Sequence, residues 1–238
     1  VNLVILNVKK ARYSIIPLLR YIYKSRSKTY LAFNHELTVA LVILRFFFNL
    51  KIRIISRNIS VLSIKIDQYK SGNFWLKNIV RPLINNFYHK IDHVINQCNN
   101  MSKDLIYIYP KLKNNSSVIF NPISKHILDC ANKYDLNKIE KKNYLLCVGR
   151  LEEVKSFHYA IEGFAGISNK FPNLRLKIVG QGNLEKLLIK KTLDLNISNR
   201  VDFEGFQKDI GNYYLYAKAT VLTSLYEGYP NVLIESLA

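Results

Sequence analysis

Glu227 and Glu235 stand eight positions apart in the closing stretch TSLYEGYPNVLIESLA, on either side of a Gly228-Tyr229-Pro230-Asn231 turn. An ionised carboxylate only accepts hydrogen bonds, so two of them at that spacing suit two hydroxyl-bearing groups. Gly228 permits a tight turn and Pro230 suits the first turn of a helix. The amides of Tyr229 to Val232 at that helix start would suit an anion between the two carboxylates. Upstream, Gly149 and Arg150 follow the apolar run YLLCV, and Lys155 opens the next amphipathic segment. A strand-to-helix turn presents N–H groups and the positive end of the helix dipole. Arg150 by its planar fork and Lys155 as a point charge would complete a site for a diphosphate. Ribose diol, diphosphate and hexose hydroxyls are the layout of a nucleotide-sugar. Taken singly, each pair has a plainer reading. Basic residues near helix starts are common, Glu227 could cap a helix, and Glu235 could face solvent.

Positioning these residues requires a particular alternation of elements. Apolar, strand-like runs fall at 1–6, 29–33, 52–56, 93–97 and 117–120, and then at 144–149, 175–180, 200–205 and 219–224. Helical periodicity falls between them at 13–26, 36–49, 73–90 and 101–109, then at 156–169, 183–194, 209–217 and from Asn231 onward. Strands apolar on both faces, alternating with helices, predict parallel sheets covered on both sides. Right-handed crossovers then make each half a doubly wound, Rossmann-like domain. The expected boundary lies in 121–143, with an N-terminal domain over 1–125 and a C-terminal one over 126–238. Two such domains would face each other across a cleft at the carboxyl ends of their strands.

Composition narrows the class. The chain has 238 residues, 49% of them hydrophobic, and a formal charge of +18. Residues 1–125 hold 20 Lys and Arg against 4 Asp and Glu, so +16 of that charge lies in the first half. A localised cationic face suits an anionic leaflet or an anionic acceptor, and equally a solvated surface. Nucleic acid is a third reading of the same charge and not the expected partner, because no zinc, helix-turn-helix or RNA-binding pattern accompanies it. The run LTVALVIL, interrupted by Arg45, is too short to span a bilayer. Cys98, Cys130 and Cys147 are odd in number and far apart, which predicts free thiols in a reducing cytoplasm.

Three stretches carry a resemblance. VGRLEEVKSFHYAIEGFAGISNKFPNLRLKIVGQGNLEKLL, VDFEGFQKDIGNYY and LTSLYEGYPNVLIESLA resemble, in order and spacing, the donor domain of the family 4 glycosyltransferases of the GT-B fold. The family's Gly-Arg-Leu…Lys signature and Glu-x7-Glu motif match Gly149, Arg150, Leu151, Lys155, Glu227 and Glu235. Ser156 stands where the family usually has Gly. The first half is similar more loosely, through YHKIDHVINQCNNMSKDLI and VIFNPIS, with Cys98 in a usual Ser position. The family's Gly-rich loop after its first strand and its Gly-x-Pro-Val-Val segment have no counterpart here. The chain therefore reads as an internal fragment truncated at both termini.

The resemblance implies a retaining, metal-independent hexosyltransferase that moves a sugar from a nucleotide-diphosphate sugar to a saccharide or lipid-linked acceptor in bacterial surface-polysaccharide synthesis. It implies catalytic roles for Arg150, Lys155 and Glu227, with Gly149, Gly228, Tyr229, Pro230, Asn231, Val232 and Glu235 around the donor, and no metal or other cofactor. The alternative is a non-catalytic nucleotide-sugar binding protein or an inactive fragment. His35, after the strand ending in FN, and Arg57, after IRIIS, are candidate acceptor contacts, each equally readable as surface or capping. Gly180 and Gly182 in IVGQGN are half of a dinucleotide fingerprint and read as turn glycines, with the segment around Phe203, Gly205 and Phe206 beside the base. The expected location is cytoplasmic, with a basic, aromatic helix at 13–26 suited to the inner face of the plasma membrane.

Overall fold

The computed structural model describes residues 5–6, 13–135 and 138–238. The chain divides into two compact units, Val1–Asn121 and Pro122–Ala238. The division falls just before Pro122, where the residue preceding a proline is held extended and a helix cannot run through.

In the first unit the elements run α1 (Ile15–Ser25), β1 (Thr29–Ala32), α2 (His35–Phe47), β2 (Arg53–Arg57), α3 (Leu62–Lys70), α4 (Arg81–Phe87), β3 (His93–Asn96), α5 (Asn99–Ile108) and β4 (Ser116–Val118). The four strands are parallel and lie in chain order, β1-β2-β3-β4. The strand expected over 1–6 lies outside the described residues except for Ile5 and Leu6, which carry no regular structure. Asn34 caps α2, its side chain accepting from the Leu37 amide at 2.7 Å. One helix that the periodicity left unassigned is added here, and one expected helix is subdivided. LSIKIDQYK forms α3, although Ile64 and Ile66 alternate with polar residues in the manner of a strand. The single helix expected over 73–90 is instead a π-helical turn at Leu76–Val80, then α4, then a 3₁₀ turn at Tyr88–Lys90. Pro82 in the first turn of α4 lacks the N–H needed to continue a regular ladder through that point.

The second unit holds α6 (Lys125–Ala131), β5 (Tyr144–Val148), α7 (Phe157–Ser168), β6 (Arg175–Val179), α8 (Glu185–Asp194), β7 (Val201–Gly205), α9 (Gly211–Tyr216), β8 (Ala219–Thr220) and α10 (Asn231–Leu237). Its parallel sheet has the order β7-β6-β5-β8, so the winding reverses between β5 and β8. Both faces of β5 are apolar. Cys147 packs with Ile161, Phe164 and Leu188 beneath α7 and α8, while Leu146 packs with Tyr214 and Ile127 on the α9 side. Each fully buried Leu or Ile contributes about 1.5–3 kcal/mol relative to exposure, which is why the strands read as continuous apolar runs. Burial pushes the Cys147 thiol up to about 12.

Candidate functional site

Ligands of open α/β sheets bind outside the carboxyl ends of the strands where the winding reverses. In the second unit that point lies beyond β5 and β8. The chain leaving β5 passes through Gly149, Arg150, Leu151 and Glu152 before a 3₁₀ turn at Glu153–Lys155. The chain leaving β8 runs through Thr223 to Pro230 and enters α10 at Asn231. Two hydrogen bonds stitch these excursions together. The Leu225 amide donates to the Val154 carbonyl at 2.9 Å, and the Thr223 hydroxyl to the Lys155 carbonyl at 3.0 Å. On that frame Lys155 Nζ meets Glu227 Oε1 at 2.6 Å, with side chains only 18% and 24% exposed.

The turn after β5 differs from the expected helix start. The amides of Gly149, Leu151, Glu152, Lys155 and Ser156 all donate to carbonyls of the chain, so those N–H groups do not form an anion cradle. Gly149 bonds to Val179, the last residue of β6, and Leu151 to Gln181 in the excursion that follows it. That contact is so close that a Cβ on Gly180 would sit 1.9 Å from the Gly149 carbonyl oxygen, and one on Gly182 2.4 Å from that of Leu151. These two glycines are thus required by backbone packing. Ser156, which stands where the resemblance expects glycine, adopts φ 47 and ψ 42 between the 3₁₀ turn and α7. An L side chain there carries a steric cost. Its hydroxyl offsets part of that by donating to the Glu153 carbonyl at 2.8 Å.

The remaining candidates are placed as follows. Arg150 is 72% exposed and pairs with Glu152 across 2.8 Å. Glu235, partly buried on α10, accepts from the Tyr214 hydroxyl at 3.1 Å. Burial, and then the Glu235 charge, raise the Tyr214 phenol above its ordinary value. Pro230 occupies the cap position before α10, one residue earlier than the first helical turn, and the Val232 side chain packs against the Tyr214 cluster. Phe203 packs into the core beneath α7 and α8, whereas Phe206 is exposed. Of the four charged candidates, then, Lys155 and Glu227 are joined directly, while Arg150 and Glu235 hold partners the spacing did not single out. Glu152 was discoverable as a carboxylate in the same turn as Arg150. Tyr214 carried no such signal.

In the first unit Arg57 closes β2 and donates to Asn121 Oδ1 at 2.6 Å. His35 is the first residue of α2 and only 2% exposed, its ring edge-on to Tyr88 at 5.4 Å. Burial holds its pKa down to about 4, so the imidazole is neutral near pH 7. His35, a candidate acceptor contact, thus stands in the interior of the first unit as a neutral imidazole. Its neighbours form a buried polar chain at the carboxyl ends of β2 and β3. Thr38 and Ser56 hydroxyls lie 2.9 Å apart, Ser56 and Tyr88 3.0 Å, and the Tyr88 hydroxyl donates to Asn58 at 2.5 Å. His35 Nε2 has no hydrogen-bond partner among the described residues. No helix of those residues is long and apolar enough to cross a membrane.

Comparison with known proteins sets this geometry in a family. Residues 131–238 match the family model of group 1 glycosyl transferases. A glycosyltransferase of Methanocaldococcus jannaschii, itself uncharacterized, is 30% identical over 178 residues, covering 73% of this chain and 43% of that protein. The Campylobacter jejuni enzyme named N-acetylgalactosamine-N,N'-diacetylbacillosaminyl-diphospho-undecaprenol 4-alpha-N-acetylgalactosaminyltransferase is 28% identical over 170 residues, covering 69% of this chain and 45% of that enzyme. Among solved structures, the Anabaena HepE protein in complex with UDP-glucose superposes with a TM-score of 0.68 at 17% identity, over 94% of this chain and 60% of that one. The chain spans less than half the length of these two curated relatives. With a parallel α/β sheet in each unit, the chain has the GT-B fold, and its second unit carries a glycosyl transferase group 1 domain.

Proposed function

We propose that the complete protein transfers a hexose or N-acetylhexosamine from a nucleotide-diphosphate sugar to a saccharide or lipid-linked acceptor, with retention of anomeric configuration, in the assembly of a surface polysaccharide. The second unit takes the donor and the more basic first unit the acceptor. The observation that carries this reading is the Lys155–Glu227 contact beyond β5 and β8, since it joins the cationic motif to the acidic one at the reversal point of the sheet. The UDP-glucose held by the HepE structure and the diphospho-undecaprenol acceptor in the name of the C. jejuni enzyme support the donor and acceptor classes.

In this reading Lys155 and Arg150 meet the negative charge that grows on the diphosphate as the glycosidic bond breaks, the electrostatic contribution that usually dominates such a step. Lys155 and Arg150 must then divide their N–H donors between their carboxylates, Glu227 and Glu152, and the phosphate oxygens. Glu227 is placed to accept from hydroxyls of the donor sugar, and Glu235 from the ribose diol. Gly149 and the turn Gly228-Tyr229-Pro230-Asn231-Val232 surround the donor. The two cations do the work assigned to a metal in other glycosyltransferases, so the reading invokes none. Attack from the face the diphosphate leaves accounts for retention without an enzymic nucleophile. Arg57, closing β2, is the acceptor-side cation. Exposed Ile16 and Tyr23 with Arg20 and Lys24 on α1 suit contact with an anionic membrane at the cytoplasmic face.

A thermal-shift panel of UDP-, GDP- and ADP-sugars on the complete protein tests the donor assignment, because a ligand bound to the folded state raises apparent stability by mass action. One class of nucleotide-sugar is expected to raise Tm, and the anomeric proton of the product, read by NMR, is expected to keep the donor's configuration. No shift with any of them would remove the donor reading, whereas protection without transfer would favour a binding protein.

A further inference from the structure

The face of the second sheet that carries α9 holds a polar surface away from the reversal point. Tyr144 pairs in register with Arg175, and Lys177 with Asp202, so these side chains and Glu204 share one face. Arg175 grips Asp202 through Nε at 2.8 Å and a second nitrogen at 2.5 Å. Lys177 binds Glu204 and lies 3.8 Å from Asp202, and the Tyr213 hydroxyl donates to Glu204 at 3.2 Å. The charges on this floor are therefore compensated by one another.

Above them lies an open cavity of about 680 Å³, walled further by Asn143, Asn173, Asn212, Tyr213 and Tyr216. It sits at the amino ends of β5 and β6, the opposite end of those strands from Gly149 and Lys155. Cavities of this size are ordinary ligand sites. The chemistry selects the class of ligand. A phosphate or nucleotide needs cations free to turn toward it, whereas Arg175 and Lys177 are held in ion pairs and Lys142, the third cation of the lining, lies over the Tyr216 ring. A purely apolar guest would strand the amides and phenols. What the walls offer is aromatic ring faces, together with exposed amides that both donate and accept. A sugar ring presents the complementary surface, an apolar C–H face rimmed by hydroxyls.

We propose that this cavity is a second carbohydrate site, distinct from the donor site, which holds a neutral oligosaccharide segment of the acceptor or product. Its biological sense rests on the glycosyltransferase reading, but its occupancy does not. The sugar stacks on the Tyr216 ring in place of the exposed Lys142 ammonium, which lies over that ring at 4.7 Å, and Asn173 and Asn212 are the specificity contacts.

Saturation-transfer NMR of the complete protein with neutral hexose and N-acetylhexosamine tetrasaccharides tests this. At least one tetrasaccharide is expected to receive saturation, undiminished by excess UDP and undiminished in Lys155→Ala. The signal is expected to fall at least fivefold in Tyr216→Ala and in the double variant Asn173→Ala with Asn212→Ala, whose surface positions leave the fold intact. No transfer to any tetrasaccharide, competition by UDP, or full signal in the asparagine double variant would overturn the proposal. Tetrasaccharide binding lost in that variant, in a protein that no nucleotide-sugar stabilises, would keep this site while removing the donor reading.

Discussion

Lys155 Nζ and Glu227 Oε1 lie 2.6 Å apart although 72 positions separate them in the chain. Neither carries the contact alone. The Leu225 amide and the Thr223 hydroxyl fasten the excursion after β8 to the 3₁₀ turn that ends at Lys155. Removing one donor to a developing oxyanion typically costs about 100- to 1000-fold in kcat. Lys155→Ala in the complete protein is expected to lose kcat by that order, and Arg150→Ala by less, because Arg150 is exposed and more easily replaced by water. Steady-state rates with the donor found by thermal shift check this. Wild-type turnover in both variants would dissociate the cations from the chemistry.

Glu235 and Tyr214 supply a second measurement. A hydrogen bond to a charged group is worth about 1.5–3 kcal/mol, so Glu235→Ala is expected to weaken nucleotide binding by about 10- to 100-fold. Tyr214→Phe keeps the carboxylate and removes only the internal donor, which predicts little loss of affinity. Titration calorimetry with the nucleoside diphosphate distinguishes them. Equal losses in the two variants would mean that Glu235 acts through Tyr214 and not on ribose.

The buried His35 makes stability pH-dependent. Its folded pKa of about 4 lies below the ordinary 6.5, so the unfolded chain binds more protons between those values. The stability this burial permits is complete above pH 6.5 and is lost as pH falls toward 4. Between pH 7 and pH 5 the linkage amounts to about 2 kcal/mol. Urea unfolding of the wild type at the two pH values is expected to show a loss of that size, largely absent in His35→Gln. An equal loss in both proteins would refute it.

Ser156 tests the strain at the entrance to α7. Ser156→Ala keeps the left-handed backbone and loses the bond to Glu153, whereas Ser156→Gly loses the bond and relieves the backbone. Glycine is therefore expected to be more stable than alanine there by about 1 kcal/mol, the reverse of their order inside a helix. Denaturant midpoints of the two variants decide the matter. Alanine equal to or above glycine would rule strain out.

The alternation of apolar runs with amphipathic ones was sufficient to place the strands and most helices, because burial on both faces of a parallel sheet leaves a continuous apolar signature, as at Leu145 to Val148. It was insufficient at Leu62–Lys70, where Ile64 and Ile66 follow a two-residue period yet lie in a helix, and at Leu76–Lys90, where Pro82 interrupts the ladder. Spacing along the chain also brought the four charged candidates to notice, since residue type and turn chemistry are local. Which of them meet was a matter of the β7-β6-β5-β8 order, which brings the loop after β8 beside the turn after β5. Partner choice belongs to that tertiary level too. Lys155 found Glu227, Glu235 found Tyr214, and His35 was drawn into the core beside Tyr88, because strand pairing and helix packing bring together side chains that no local periodicity relates.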